Sequence, residues 1–196
     1  FQDTINGFYN FYYYDDLGNR VKKVVYNNIG TLLDTIKFYY DENGKLIHQK
    51  SNTSSMTFLY DDLNQLYGFI YNGNRYYYIK NAFNTILGIV DSNGNNIVKY
   101  NYDAWGNHKV YNPTQEDNNP LSVGNINPFR YKCYYYDVDI SMYYCKARYY
   151  VPLWRRWLTP DNIEYLDNND ICNINLFAYC GNNSIMFYDP TGKFLI

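Results

Sequence analysis

The sequence predicts an all-β chain, an array of β-hairpins running into a distinct C-terminal segment. Three observations carry that prediction. Tyrosine and phenylalanine supply 27 and 11 of the 196 residues, and both favour the pleated, half-buried surface of a sheet. A short turn unit recurs along the first half of the chain. No window places apolar residues at the spacing of an amphipathic helix.

The turn unit is clearest at Tyr14-Asp15-Asp16-Leu17-Gly18-Asn19-Arg20-Val21, Tyr40-Asp41-Glu42-Asn43-Gly44-Lys45-Leu46-Ile47, Tyr60-Asp61-Asp62-Leu63-Asn64-Gln65-Leu66 and Tyr102-Asp103-Ala104-Trp105-Gly106-Asn107. Weaker copies stand at Tyr26-Asn27-Asn28-Ile29-Gly30, Lys80-Asn81-Ala82-Phe83-Asn84 and Val90-Asp91-Ser92-Asn93-Gly94. In each, Asp or Asn can bond the backbone two residues on. Gly or Asn three residues later can take the positive φ that closes the turn. Flanking runs such as Thr57-Phe58-Leu59-Tyr60 and Arg75-Tyr76-Tyr77-Tyr78-Ile79 are predicted strands. One hairpin cannot bury its own face, so the units are expected to stack into one long sheet.

Composition narrows the function. The 17 basic and 19 acidic residues are mixed along the chain and leave a formal net charge of −2. No Lys/Arg run exists to track nucleic-acid phosphates, so no nucleic-acid partner is expected. No stretch approaches the roughly 20 apolar residues of a membrane-spanning helix. Residue 1 is Phe, which predicts a fragment or processed piece, and the N-terminus has no signal-peptide pattern. The cysteines, Cys133, Cys145, Cys172 and Cys180, form no C-x-x-C pair, and His48 and His108 lie far from them in sequence, so no metal site is expected. Their aromatic and apolar neighbours predict buried free thiols; two disulfides are the alternative for an exported chain. No Gly-rich phosphate loop calls for a cofactor. Two histidines in repeat flanks, with no nucleophile motif, exclude a Ser–His–Asp hydrolase.

The pattern changes after Asn112-Pro113. The expected division is repeats over 1–111, a polar, turn-rich loop over 112–126, and a separate segment over 127–196. That segment holds Asn127-Pro128-Phe129-Arg130-Tyr131, Tyr134-Tyr135-Tyr136-Asp137, Tyr143-Tyr144-Cys145-Lys146-Ala147-Arg148-Tyr149-Tyr150, Arg156-Trp157-Leu158-Thr159-Pro160-Asp161, Asn175-Leu176-Phe177-Ala178-Tyr179-Cys180-Gly181-Asn182-Asn183 and Tyr188-Asp189-Pro190-Thr191-Gly192.

Over about residues 8 to 111 the turn units resemble the YD repeats of the Rhs family. The later blocks, in this order, resemble the Rhs-repeat-associated core domain over roughly 127–192. The resemblance implies a sheet that spirals into a closed shell, a core domain that plugs one end, and a C-terminal toxin held inside. It also implies, as in the C components of insecticidal toxin complexes, an aspartyl-type autoprotease that cuts the toxin free. Carried onto this sequence, the acid pair falls on Asp161 and Asp189, with Arg148 as the supporting cation and the cut shortly after Gly192. The implied partners are the chain's own toxin cargo and upstream repeats or other shell chains; the implied location is secreted or cell-surface. The sequence departs from the family pattern at Ser184, Lys193, Cys133 and Val151, and residues 162–172 read as an insertion. Lys193 stands where the family carries Leu, beside the expected cut.

The chemistry of the pair is sound: two carboxyls held close cannot both ionise, so one keeps a proton while the other activates water. Read without the resemblance, Asp161 and Asp189 are turn residues, and Arg148 stacks on its aromatic neighbours. Arg155 and Arg156 are expected on surface carboxylates or backbone. Trp105, Trp154 and Trp157 are expected to pack against the sheet, with a sugar-binding platform as the alternative. The alternative function is a non-catalytic surface or wall-associated module, in which the repeats bind a glycan or another protein and the Asp pair is structural.

Overall fold

The structure, a computed structural model, describes residues 8–162 and 175–193. It is nearly all β. The strands are β1 (Phe8–Tyr14), β2 (Arg20–Asn27), β3 (Leu32–Tyr40), β4 (Leu46–Lys50) and β5 (Ser55–Tyr60), then β6 (Leu66–Tyr71), β7 (Asn74–Lys80), β8 (Ile86–Asp91), β9 (Asn96–Tyr102) and β10 (His108–Tyr111). A second sheet holds β11 (Tyr135–Asp137), β12 (Met142–Cys145), β13 (Arg148–Val151) and β14 (Arg156–Trp157). In both sheets the strand order follows the sequence. Among the described residues the one α-helix, α1 (Val123–Ile126), is a single turn.

The repeat turns show why Asp and Asn recur. Asp41 Oδ1 accepts the amides of Asn43 at 3.0 Å and Lys45 at 2.8 Å, while Gly44 N donates to the Asp41 carbonyl at 3.0 Å. The same pair of side-chain bonds forms at Asp15, Asn27, Asp61, Asn81, Asp91 and Asp103. Three residues after each, φ is positive, carried by Gly or by Asn64 and Asn84. The tyrosine ahead of the Asp has its own reason to be Tyr and not Phe. Tyr40 Oη donates to the Arg20 carbonyl, Tyr60 Oη to Leu46 and Tyr102 Oη to Ile86, at 2.8–2.9 Å, tying each turn to the start of an earlier strand.

The chain forms two compact units, Phe1–Ile79 with Ile89–Ile97, and Lys80–Gly88 with Val98–Ile196. The first buries Phe38, Met56, Phe58, Leu66 and Phe69 along one face of its strands, with Phe69 against Tyr76 at 5.1 Å between ring centroids. Two of its hairpins fall outside the predicted turn units. Ser51–Ser54 closes one. Asn72 and Gly73, at φ +46° and +87°, close the other in the tight form that matches strand twist.

The second unit is built on a tyrosine core of Tyr131, Tyr134, Tyr143, Tyr150 and Tyr179 with Trp157, Cys145 and Cys180. Three of these tyrosines grip the turn after β9. Tyr131, Tyr150 and Tyr143 donate to the consecutive carbonyls of Ala104, Trp105 and Gly106 at 2.9, 2.7 and 2.9 Å. Each ring buries apolar area while its hydroxyl finds a carbonyl that the turn leaves unused.

Of the three tryptophans, Trp157 is buried and Trp105 packs against the core, but Trp154 is 57% exposed. It sits on a one-turn 3-10 helix, Pro152–Trp154, that lifts it off the sheet. Arg155 and Arg156 lie instead over the rings of Trp105, at 5.7 Å, and Phe177, at 5.2 Å. Cys133, Cys145 and Cys180 are free thiols, the last two buried; Cys172 lies outside the described residues, as does most of the expected insertion.

Candidate functional site

Arg148, Asp161 and Asp189 meet within the second unit. Arg148 opens β13, which a two-residue turn pairs with β12, so Cys145 stands opposite Arg148. Asp161 follows β14 on a stretch held by Phe177 and Leu176, whose carbonyls accept the amides of Trp157 and Asp161 at 2.9 and 3.0 Å. Asp189 is brought in by the final turn. Its Oδ1 accepts the amides of Thr191, Gly192 and Lys193 at 3.2, 2.8 and 3.1 Å, and the Thr191 carbonyl accepts the Ala147 amide at 3.1 Å.

The guanidinium bridges the two carboxyls. Arg148 Nη1 lies 2.7 Å from Asp161 Oδ2, and Nη2 lies 3.3 Å from Asp189 Oδ2. Its Nε donates to the Gly192 carbonyl at 2.6 Å, and its plane sits over the Trp157 ring at 4.2 Å. All three guanidinium nitrogens are therefore occupied and the cation has a fixed orientation. The side chains of Arg148 and Asp189 are 8% and 5% exposed, that of Asp161 22%, so the two carboxyls differ in access to water.

Burial pushes the Asp189 carboxyl above its ordinary range, against the lowering by the amides of Thr191, Lys193 and Gly192 and by the Arg148 charge. Gly192 is required where it stands. Its φ is +72°, and a Cβ there would lie 2.7 Å from the Cys145 carbonyl and 3.0 Å from the Arg148 nitrogen. Trp157, the Gly192 carbonyl and the Tyr134–Tyr179 hydroxyl pair were not among the residues that sequence reasoning assigned to the site. Arg148 does stack on an aromatic ring, but on that of Trp157 across the sheet and not on its flanking tyrosines, and it carries the ion pairs as well. Among the described residues, no three His, Cys, Asp or Glu side chains cluster as a metal ion would need, and no helix is long and apolar enough to cross a membrane.

Fold and site together define an all-β tyrosine–aspartate repeat chain of the shell type. The model of the teneurin YD-shell family matches residues 5–185, and the chain belongs to that family. It is 33% identical over 186 residues to the tRNA3(Ser)-specific nuclease WapA of Bacillus spizizenii and, equally, to the tRNA nuclease WapA of Bacillus subtilis. Each match covers 94% of this chain and 7% of the relative, so the chain spans about a fourteenth of their length. In fold it is similar to the crystal structure of TcdB2-TccC3-Cdc42, with a TM-score of 0.71 at 19% identity over 98% of this chain and 9% of that one. The Photorhabdus luminescens Tc holotoxin pore gives 0.67 at 18%, over 94% and 9%.

Proposed function

We propose that this chain is part of the shell of a polymorphic toxin, secreted or surface-borne, that encloses a C-terminal toxin and frees it by aspartyl-type self-cleavage shortly after Gly192. In this reading residues 1–111 belong to the shell wall, 112–126 connect, and 127–196 form the plug that carries the protease. Upstream repeats or other chains complete the enclosure. The observation that carries the reading is the Arg148 guanidinium held between Asp161 and Asp189 with its Nε on the Gly192 carbonyl. That arrangement grips the chain beside the expected cut and gives two carboxyls in unlike surroundings.

Asp189, more buried and with its carboxyl pushed upward, is the better placed of the two to take up a proton and pass it to the leaving amine. Asp161, the more exposed, activates the attacking water. The reading is tested on the longer parent chain, with its natural residues beyond 196, by comparing intact mass for wild type, Asp161→Asn and Asp189→Asn. Two pieces from wild type and one from each variant support it. A wild type that stays whole, or variants that split equally well, sinks it. The non-catalytic surface module, which needs neither Asp, then takes its place; the exposed Phe11, Tyr13 and Tyr39 would be its first candidate contacts.

A further inference from the structure

We infer that Tyr134 is a positioning residue for the Asp189 carboxyl, acting on the Asp189 main chain directly and on Arg148 through Tyr179 and Trp157. The kinetic consequence rests on the self-cleavage reading; the geometric one does not.

Tyr134 Oη accepts the amide hydrogen of Asp189 at 2.9 Å. The same oxygen lies 3.0 Å from Tyr179 Oη. Tyr134, Tyr179 and Asp189 are 4%, 0% and 3% exposed, so the three groups meet in a dry setting where a hydrogen bond holds its geometry firmly. An Asp carboxyl is only two torsions from its own backbone. The position of Asp189 N therefore limits where Oδ1 and Oδ2 can stand. The amides of Thr191, Gly192 and Lys193 hold the carboxyl from one side, and the Tyr134 hydroxyl holds the amide from the other.

The second route runs through rings. Tyr179 lies 4.0 Å from Tyr150 and 5.4 Å from Trp157 between centroids. Trp157 is the ring on which the Arg148 guanidinium rests. One aromatic cluster thus sets both ends of the Arg148–Asp189 contact. The Arg148 bridge between Asp161 and Asp189 holds only while both of its ends stay in place, and small displacements of a reacting group are costly in rate. A hydroxyl that touches no reacting atom can therefore control the pair.

The test uses the parent chain made by cell-free translation, with the rate of self-cleavage followed by mass from pH 5 to 9. Tyr134→Phe keeps the ring and its packing and removes the acceptor. It should slow cleavage by on the order of ten-fold and displace the acid limb of the pH–rate profile. Tyr179→Phe leaves Tyr134 Oη on the Asp189 amide and should slow it less, by about three-fold or under. A Tyr134→Phe chain that cleaves at the wild-type rate overturns the proposal. So does one that only lowers the folded fraction and keeps the wild-type pH profile. Should wild type not cleave at all, the self-cleavage reading falls, and carbon NMR titration of Asp189 in the 196-residue chain still decides. A midpoint that moves in Tyr134→Phe supports positioning; one that stays put refutes it.

Discussion

Acid should destabilise the second unit through His108, which is built to stay neutral. Arg130 Nη1 faces His108 Nε2, and a guanidinium can only donate, so Nε2 must accept and the ring proton must sit on Nδ1. Nδ1 lies 3.2 Å from Tyr143 Oη, which itself donates to the Gly106 carbonyl at 2.9 Å. The rings of Tyr100, Tyr102 and Tyr136 close round the imidazole. Burial first, and the Arg130 charge second, bring its pKa down from 6.5 to about 3. Because the folded value lies below the unfolded one, this contribution to stability is complete above pH 6.5 and is lost as pH falls from there toward 3.

Between pH 7.5 and pH 5 the loss is about 2 kcal/mol, a sizeable part of an ordinary domain's stability. Urea unfolding of wild type and His108→Gln at the two pH values measures it. Glutamine can accept from Arg130 and does not titrate, so the carboxylates common to both proteins cancel. Wild type should lose about 2 kcal/mol more than the variant over this range. Nitrogen NMR should find the neutral Nδ1–H tautomer at pH 5. Equal losses in the two proteins, or an imidazole that titrates near its ordinary value, would refute the argument.

Three further outcomes are expected. Gly192→Ala meets both a positive φ and two backbone atoms at 3.0 Å or less, so it should cost about 2 kcal/mol or more in urea unfolding and displace the final turn. Tyr60→Phe removes the bond to the Leu46 carbonyl and should cost about 1 kcal/mol, read as a lowered urea midpoint with unchanged slope. Cys145, 2% exposed with its thiol pushed far up by burial, should react with an aromatic disulfide reagent only after unfolding; prompt labelling of the native chain would contradict its place in the core.

The repeat was legible because its chemistry is local. Asp41 bonds residues two and four further on, and such spacings can be read directly from sequence. The Asn72–Gly73 hairpin is equally local, since Asn-Gly is the strongest short hairpin signal, but it lacks the Asp-x-x-Gly spacing of the repeat. The site was legible only through the family resemblance. Arg148, Asp161 and Asp189 are far apart in the chain, and nothing in a turn at Asp189 says that a guanidinium will meet it. Trp154 was misjudged for a similar reason. Its exposure depends on a 3-10 turn ended by Arg155 at φ +58°, a conformation that no residue type there announces.

The same trio poses a last question, whether Arg148 is needed for its charge or only for its stacking on Trp157. Arg148→Met separates the two. Methionine can fill much of the space over the Trp157 ring, but it leaves the buried Asp189 carboxyl without a cation. A buried ion deprived of its partner typically costs about 3–5 kcal/mol. That cost exists only while the carboxyl is ionised. Without Arg148 the native Asp189 should hold its proton more tightly still, so the native state binds more protons than the unfolded one over a wider range. The variant's stability deficit should therefore be largest at pH 8 and shrink as pH falls toward 5. Adding Asp189→Asn, which removes the charge and keeps an acceptor for the turn amides, should flatten that dependence in the double variant. A deficit of the same size at both pH values, untouched by Asp189→Asn, would assign Arg148 to packing and leave its two ion pairs without energetic consequence.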